Sequence, residues 1–261
     1  MKTGVPQGAV TSPILFNFYL SLLPLPPEGV YIVQYADDIS DYTCGTNIQQ
    51  LTNSINSYIK EVLSFLSERE LEVSPSKSTV TLFTPDTHEA LIHPKVQMDG
   101  TTVKLDRTPK LLGVTFDTMF SFSAHIKATT TKAKGKVNIL KALAGSAWGQ
   151  DKETMIMTYK SICRSTLEYG VPIWGPLISQ TNWQKLQTVQ NQALRTATGC
   201  LAMASHTHLH RECKVLPLKE HGDLLTKQFL AQCFLPSHPG NKQLNMPPPP
   251  RKIKLTNLIH E

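Results

Sequence analysis

The sequence predicts an α+β fold, a first part built on short β-runs and a second built on helices, and three observations predict it. β-Branched and aromatic residues gather in short runs ahead of residue 120, at 30–35, 39–44, 79–83, 96–105 and 110–117, most of them bounded by Gly, Pro or Asp. From Ser123 the apolar period lengthens to three and four, through Ile126, Thr130, Ala133, Val137, Leu140 and Ala144, which is the face of a helix. Charge divides along the same line. Residues 1–119 hold eight basic and thirteen acidic side chains (net −5), residues 120–214 hold twelve and four (+8), and residues 215–261 hold six and three (+3), giving the overall +6. The predicted organisation is therefore a sheet-based part over 1–119, a basic helical part over 120–214, and a helical extension with a Pro-rich, flexible tail over 215–261.

The elements follow in order. Gly4 and Gly8 flank a Val-Pro-Gln loop, and Ser12-Pro13 offers an N-cap and first helical residue for an apolar helix from Ile14 to Leu23. Val30 to Tyr35 and Ile39 to Cys44 read as two strands of a hairpin, with Asp37 and Asp38 at the turn. Thr46 and Gln49 form a capping box ahead of an amphipathic helix whose stripe is Ile48, Leu51, Ile55, Tyr58, Val62 and Phe65. Thr79 to Phe83 alternates as a strand. Asp99-Gly100 marks a hairpin within 96–105, and 110–117 reads as one more strand, whose Gly113 suits a close backbone approach. Helices are then predicted from Ser123, from Asp151 to Tyr169, and from a second capping box at Thr181 and Gln184 to a stop at Gly199.

Composition narrows the class. Five cysteines without a Cys-x-x-Cys pair argue against a disulfide framework or zinc ribbon and for a reducing compartment. No run approaches the ~18 apolar residues of a membrane span, and Met1-Lys2-Thr3 begins no signal peptide. The expectation is an intracellular protein without a membrane partner. His206, His208 and His210, between Cys200 and Cys213, alternate in a way that matches no zinc finger and read as ordinary histidines of a loop or short helix.

Two features carry chemistry. Asp37 and Asp38 are a poor choice for turn geometry alone, which favours Asn-Gly or Asp-Gly. Two carboxylates held together repel unless a cation lies between them, and a hard divalent ion such as Mg²⁺ fits that need; the alternative is a plain solvated turn. In the helical part Lys127, Lys134 and Lys141 recur every seventh residue, with Lys132 and Lys136 on a third side, a pattern suited to phosphates or simply to solvent.

Gly4-Val5-Pro6-Gln7-Gly8, then Ser12-Pro13 with Leu15-Phe16-Asn17 and Tyr19, then Tyr35-Ala36-Asp37-Asp38, resembles the reverse transcriptase of non-LTR, LINE-type retrotransposons of the jockey-like group. The resemblance extends through Leu71 to Phe83, Leu112-Gly113-Val114 and the region of Tyr169-Gly170 and Trp174. It implies a partial polymerase palm followed by an all-helical thumb. Asp37 and Asp38 would be the catalytic metal ligands of a two-Mg²⁺ site. Lys77 would protonate the leaving pyrophosphate, although Ser74 stands where the family often has Asn. Gly4, Gln7, Gly8 and Tyr35 would contact template and incoming nucleotide, and Leu112 and Gly113 the primer end. Lys127, Lys132, Lys134, Lys136 and Lys141 would grip the duplex. Partners would be an RNA template, a DNA primer and deoxynucleoside triphosphates, in the nucleus or cytoplasm.

The family needs a further aspartate and nucleotide-binding fingers from a segment preceding the Gly-Val-Pro-Gln-Gly loop. The resemblance therefore implies an incomplete metal site, little polymerase activity for this chain alone, and a carboxylate hairpin with one unpaired edge. Asp41 is the remaining acid nearest in sequence. The alternative function is a non-catalytic nucleic-acid-binding remnant.

Overall fold

The computed structural model describes residues 8–145, 149–201, 203–241 and 253–259. The chain forms two compact units, one of residues 1–109 with 248–261 and the other of residues 110–247.

In the first unit, helix α1 (Ser12–Leu20) begins one residue after Thr11, which makes no side-chain cap, with Pro13 in its first turn. The helix buries only Ser12 and Leu20. Strands β1 (Val30–Tyr35) and β2 (Asp38–Gly45) form the expected antiparallel hairpin. Helix α2 (Ile48–Ser67) packs on it through Leu51, Ile55, Tyr58, Val62 and Phe65, joined by Ile59 and Leu66. Its cap is Asn47, whose Oδ1 accepts from the Gln49 and Gln50 amides, so the expected Thr46 box is displaced by one residue. Asn competes well at this position because its short side-chain carbonyl reaches the second and third free amides.

Strand β3 (Thr79–Phe83), the small hairpin β4 (Gln97–Met98) and β5 (Thr101–Thr102), and β6 (Lys104–Leu105) follow. Asp99 and Gly100 turn that hairpin with φ of 48° and 73°, the two positive values that an Asp-Gly turn supplies at least cost. The main sheet runs β1-β2-β9-β3-β6, where β9 is Ile253–Ile259. β9 lies antiparallel to both β2 and β3, while β3 and β6 are parallel. The segment beyond the Pro-rich stretch contributes a central strand over Ile253–Ile259, which pairs the inner edge of the carboxylate hairpin, while β1 ends the strand order and leaves the outer edge of the hairpin as the unpaired one among the described residues. Backbone amides and carbonyls on an open edge are satisfied by whatever extended segment can reach them.

The second unit opens with β7 (Lys110–Leu111) and β8 (Val114–Thr115), an antiparallel hairpin turned by Leu112 and Gly113 at φ of 46° and 87°. The predicted continuous strand over 110–117 is thus folded back on itself. Helices α3 (Ser123–Leu143), α4 (Lys152–Thr158), a π-helical stretch over Tyr159–Arg164, α5 (Ser165–Leu167), α6 (Val171–Trp174), α7 (Gln180–Thr198), α8 (His206–Cys213) and α9 (Leu218–Cys233) complete it. Asp151 caps α4, accepting from the Glu153 and Thr154 amides. The cap of α7 is Ser179, which accepts from Asn182 N, so the helix starts before the predicted Thr181 box. One core runs through the unit, with Phe122, Ile126, Tyr159, Trp174, Leu186 and Leu194 all at or near zero exposure. Among the described residues no helix is long and apolar enough to cross a membrane.

Gly170 and Gly199 have the same left-handed φ of 68°, yet a Cβ on Gly170 would lie 2.9 Å from Val114 Cγ2 while one on Gly199 would meet nothing within 4 Å. Gly199→Ala is therefore expected to cost only the left-handed backbone term of about 1–2 kcal/mol. Gly170→Ala should cost about 2–4 kcal/mol, because a short β-branched neighbour in a packed core cannot step aside cheaply. Urea denaturation of the two variants reads the difference, and equal midpoints would refute the packing argument.

Candidate functional site: the carboxylate hairpin and the lysine faces

The β1–β2 register sets Tyr35 opposite Asp38 and Val33 opposite Ser40. The two turn residues are therefore Ala36 and Asp37, with Asp38 the first residue of β2, one position away from the expected Asp37-Asp38 turn. Ala36 has φ of 52° and Asp37 does not share the positive value, the pattern of a II′ turn, which matches strand twist. Asp37 is exposed at the tip and Asp38 is half-buried beside it. Side chains alternate along the hairpin, so Tyr31, Val33 and Tyr35 share a face with Asp38, Ser40 and Tyr42. Tyr31 and Tyr42 stack at 5.1 Å on that face.

Asp41 lies on the other face with Ile39, which is part of the core under α2, and is 1% exposed. Its charge adds to burial in pushing the Tyr58 hydroxyl up to about 12. The alternation of the strand thus excludes Asp41 as a partner of Asp38. An ion of the Mg²⁺ type needs oxygen ligands and commonly takes one or two carboxylates, completing its shell with water and phosphate. Asp37 and Asp38 fit that minimum. Among the described residues no group of three or more His, Cys, Asp or Glu could hold a metal.

Gly8 is exposed with φ of 87°, and a Cβ there would meet nothing within 4 Å. Gly4 and Gln7 lie outside the described residues. Lys77 is exposed in the Ser74–Ser78 turn that leads into β3, where Ser78 Oγ donates to Ser74 O at 2.9 Å. Ser74 is thus the acceptor that closes this turn.

The five candidate lysines of α3 separate onto two sides. Lys127 and Lys134 line a groove with Thr130, Thr131 and, across from them, Lys185 and Thr188 of α7. Lys141 continues the same seven-residue row and is exposed. Lys185 Nζ donates to Asn182 Oδ1 at 2.9 Å, which fixes the ammonium at the rim. Lys185 escaped the sequence reading because it stands alone on its helix, and only the packing of α7 against α3 brings it to the row. Lys132 and Lys136 face the other way, toward the β7–β8 hairpin and α5, where Lys136 Nζ donates to Thr166 Oγ1 at 2.6 Å. Three ammonium groups among hydroxyls, as in the α3–α7 groove, can neutralise a run of phosphates.

Leu112 and Gly113 are exposed at the tip of their hairpin. Tyr169 holds them, its hydroxyl donating to Leu112 O at 2.8 Å, while Trp174 Nε1 donates to Tyr169 O at 2.9 Å. His210 is consumed by structure: its Nδ1 meets Val215 O and its Nε2 meets Asn191 Oδ1, both at 2.9 Å.

The family described as reverse transcriptase (RNA-dependent DNA polymerase) matches residues 1–116. The chain is 26% identical over 256 residues to a protein of Drosophila melanogaster named "Probable RNA-directed DNA polymerase from transposon BS", covering 92% of this chain and 28% of that protein. It is 26% identical over 242 residues to the "RNA-directed DNA polymerase from mobile element jockey" of the same fly, covering 90% and 25%. A type-1 retrotransposable element R1 polyprotein of Bradysia coprophila is 24% identical over 174 residues, or 66% of this chain and 17% of the relative. The chain spans little more than a quarter of the length of the first of these, and no solved structure matches it. The first two alignments run well past residue 116 into the helical unit. With the Tyr-Ala-Asp-Asp hairpin inside the matched segment, residues 1–116 match the reverse transcriptase family, and the longer alignments make the chain similar to the RNA-directed DNA polymerases of non-LTR, LINE-type mobile elements.

Proposed function

We propose that this chain is the part of a mobile-element RNA-directed DNA polymerase that presents metal-binding carboxylates and grips the template–primer duplex. The observation that carries the reading is the tight Ala36-Asp37 turn, which presents Asp37 to solvent and keeps Asp38 beside it on a paired strand. When bound, two divalent ions supply activation of a primer 3′-hydroxyl and charge stabilisation at the departing pyrophosphate. Asp37 and Asp38 would hold them from one side, Lys77 would lie toward the leaving group, and Gly4, Gln7, Gly8 and Tyr35 would meet the nucleotide. Leu112 and Gly113, pinned by Tyr169, would support the primer end. Lys127, Lys134 and Lys185 would neutralise backbone phosphates.

A second reading, nucleic-acid binding without catalysis, is favoured by one observation: the described residues offer only two carboxylates at the turn of the hairpin, Asp41 being buried on its other face, and no larger metal-binding group. Two measurements separate the readings. Primer extension on an RNA template is run with this chain alone and with the chain joined to the polymerase segment that precedes the matched region in the jockey relative, each against an Asp37→Asn control. Incorporation that depends on Asp37 supports the polymerase reading; duplex binding without incorporation in either form supports the second. Independently, Lys127→Gln, Lys134→Gln and Lys185→Gln are each expected to lower the slope of log binding constant against log salt by about 0.9. Unchanged slopes would remove the α3–α7 groove from the duplex-binding surface.

A further inference from the structure

Strand β9 runs toward the carboxylate turn. Its register on β2 pairs Ile253 with Gly45 at one end and Ile259 with Ile39 at the other, so each residue gained along β9 comes one residue closer to Asp38, the first residue of β2. The strand therefore delivers its end beside the candidate metal ligands, on the edge of β2 that β1 does not cover. His260 and Glu261 follow Ile259 in the sequence and lie outside the described residues. Covalent geometry alone limits where they can go. Two peptide units carry a chain at most about 7 Å, and opposite Cα atoms of paired antiparallel strands stand about 4.5–5.5 Å apart. Continued by one and two steps, the same register would set His260 against Asp38 and Glu261 against Asp37.

A hard divalent ion takes oxygen ligands, and its affinity for a site follows the number of charged ones. Asp37 and Asp38 supply two from the turn, and Asp41 cannot add a third because it is 1% exposed on the other face. A carboxylate at the end of the facing strand can approach the ion from the side that the turn itself leaves open. Oxygen preference selects Glu261 over the imidazole of His260 for an ion of this kind. Without an ion, three carboxylates brought together repel one another, which works against the last pairs between β9 and β2. With an ion the sign reverses, so cation binding and the pairing of the strand end reinforce each other.

We propose that Glu261 is a third carboxylate ligand of a divalent cation at the Asp37–Asp38 turn, brought there by β9. The cation at the turn rests on the polymerase reading above; the ligand carried by the C-terminal strand goes beyond it. Residues 253–261 are then part of the metal centre as well as of the sheet.

The full chain is titrated with Mn²⁺, and with Mg²⁺ in competition, in the absence of nucleic acid and nucleotide. Free Mn²⁺ is followed by electron paramagnetic resonance, and the backbone amides of residues 37–40 and 257–259 by NMR. Mn²⁺ is expected to broaden both groups of amides together, as one ion held between the two strands must. Glu261→Gln should raise the Kd about tenfold, and Glu261→Asp should recover most of the loss, because the charge is restored. His260→Ala should leave the Kd within about twofold, since the oxygen ligands remain. Free of metal, Glu261→Gln should melt no lower than the parent, because it removes a repulsion. If Asp37→Asn abolishes Mn²⁺ binding while Glu261→Gln changes nothing, the aspartates hold the ion without β9: the metal reading stands and the role of Glu261 is overturned. Broadening of 37–40 without 257–259 would overturn it as well. If the parent chain binds no Mn²⁺ up to about 10 mM, beyond the range of weak oxygen-ligand sites, the metal reading itself fails and takes Glu261 with it.

Discussion

Asp37→Asn is expected to lower primer extension by the joined polymerase on the order of a thousandfold, equivalent to about 4 kcal/mol in the barrier. The substitution keeps the shape of the side chain and the turn-forming character of the position, but it removes the negative charge that a hard cation needs. Metal-assisted charge stabilisation is worth several kcal/mol, which sets the scale. Because Asp37 is exposed at the turn, stability should change by less than about 0.5 kcal/mol, so the loss would belong to chemistry rather than folding. Single-turnover incorporation at saturating duplex, with thermal melts alongside, checks both halves. Extension within threefold of the parent would remove Asp37 from the metal site.

Trp174→Ala should destabilise the helical unit by about 3–5 kcal/mol, the usual cost of removing a buried aromatic ring. Trp174 is fully buried and is among the largest side chains in the core. It packs on Trp183 at 5.5 Å and on His125 at 5.8 Å between ring centroids. Its indole N–H also holds the Tyr169 carbonyl, and Tyr169 in turn holds Leu112. A cavity here would therefore loosen the β7–β8 hairpin as well as the core. Urea denaturation measures the first effect and amide exchange of Val114 and Thr115 the second. A cost below about 1.5 kcal/mol would mean that the neighbouring rings refill the space.

Local rules made much of this legible. The stripe of α2, the Asp99-Gly100 turn and the start of a helix at Asp151 each follow from chemistry within a few residues, and each is present in the structure. The carboxylate hairpin was readable as a hairpin, yet its register was not: the II′ turn takes Ala36 into positive φ, a residue that carries no turn signal. Leu112 hides the second hairpin in the same way, because a leucine at φ of 46° looks like one more strand residue. Long-range pairings were the larger blind spot. Lys185 joins the α3 row only through helix packing. Nor could residues 253–259 announce which strands they would join, since a proline run precedes them.

That strand sets an order of events during synthesis. β9 separates β2 from β3, yet its residues leave the ribosome after the whole helical unit has been made. The helical unit relies on contacts nearer in sequence and can mature first, while the sheet waits as two unjoined ribbons for its late-arriving middle. Nascent chains arrested before residue 253 should thus carry a protease-resistant helical core and a protease-sensitive carboxylate hairpin.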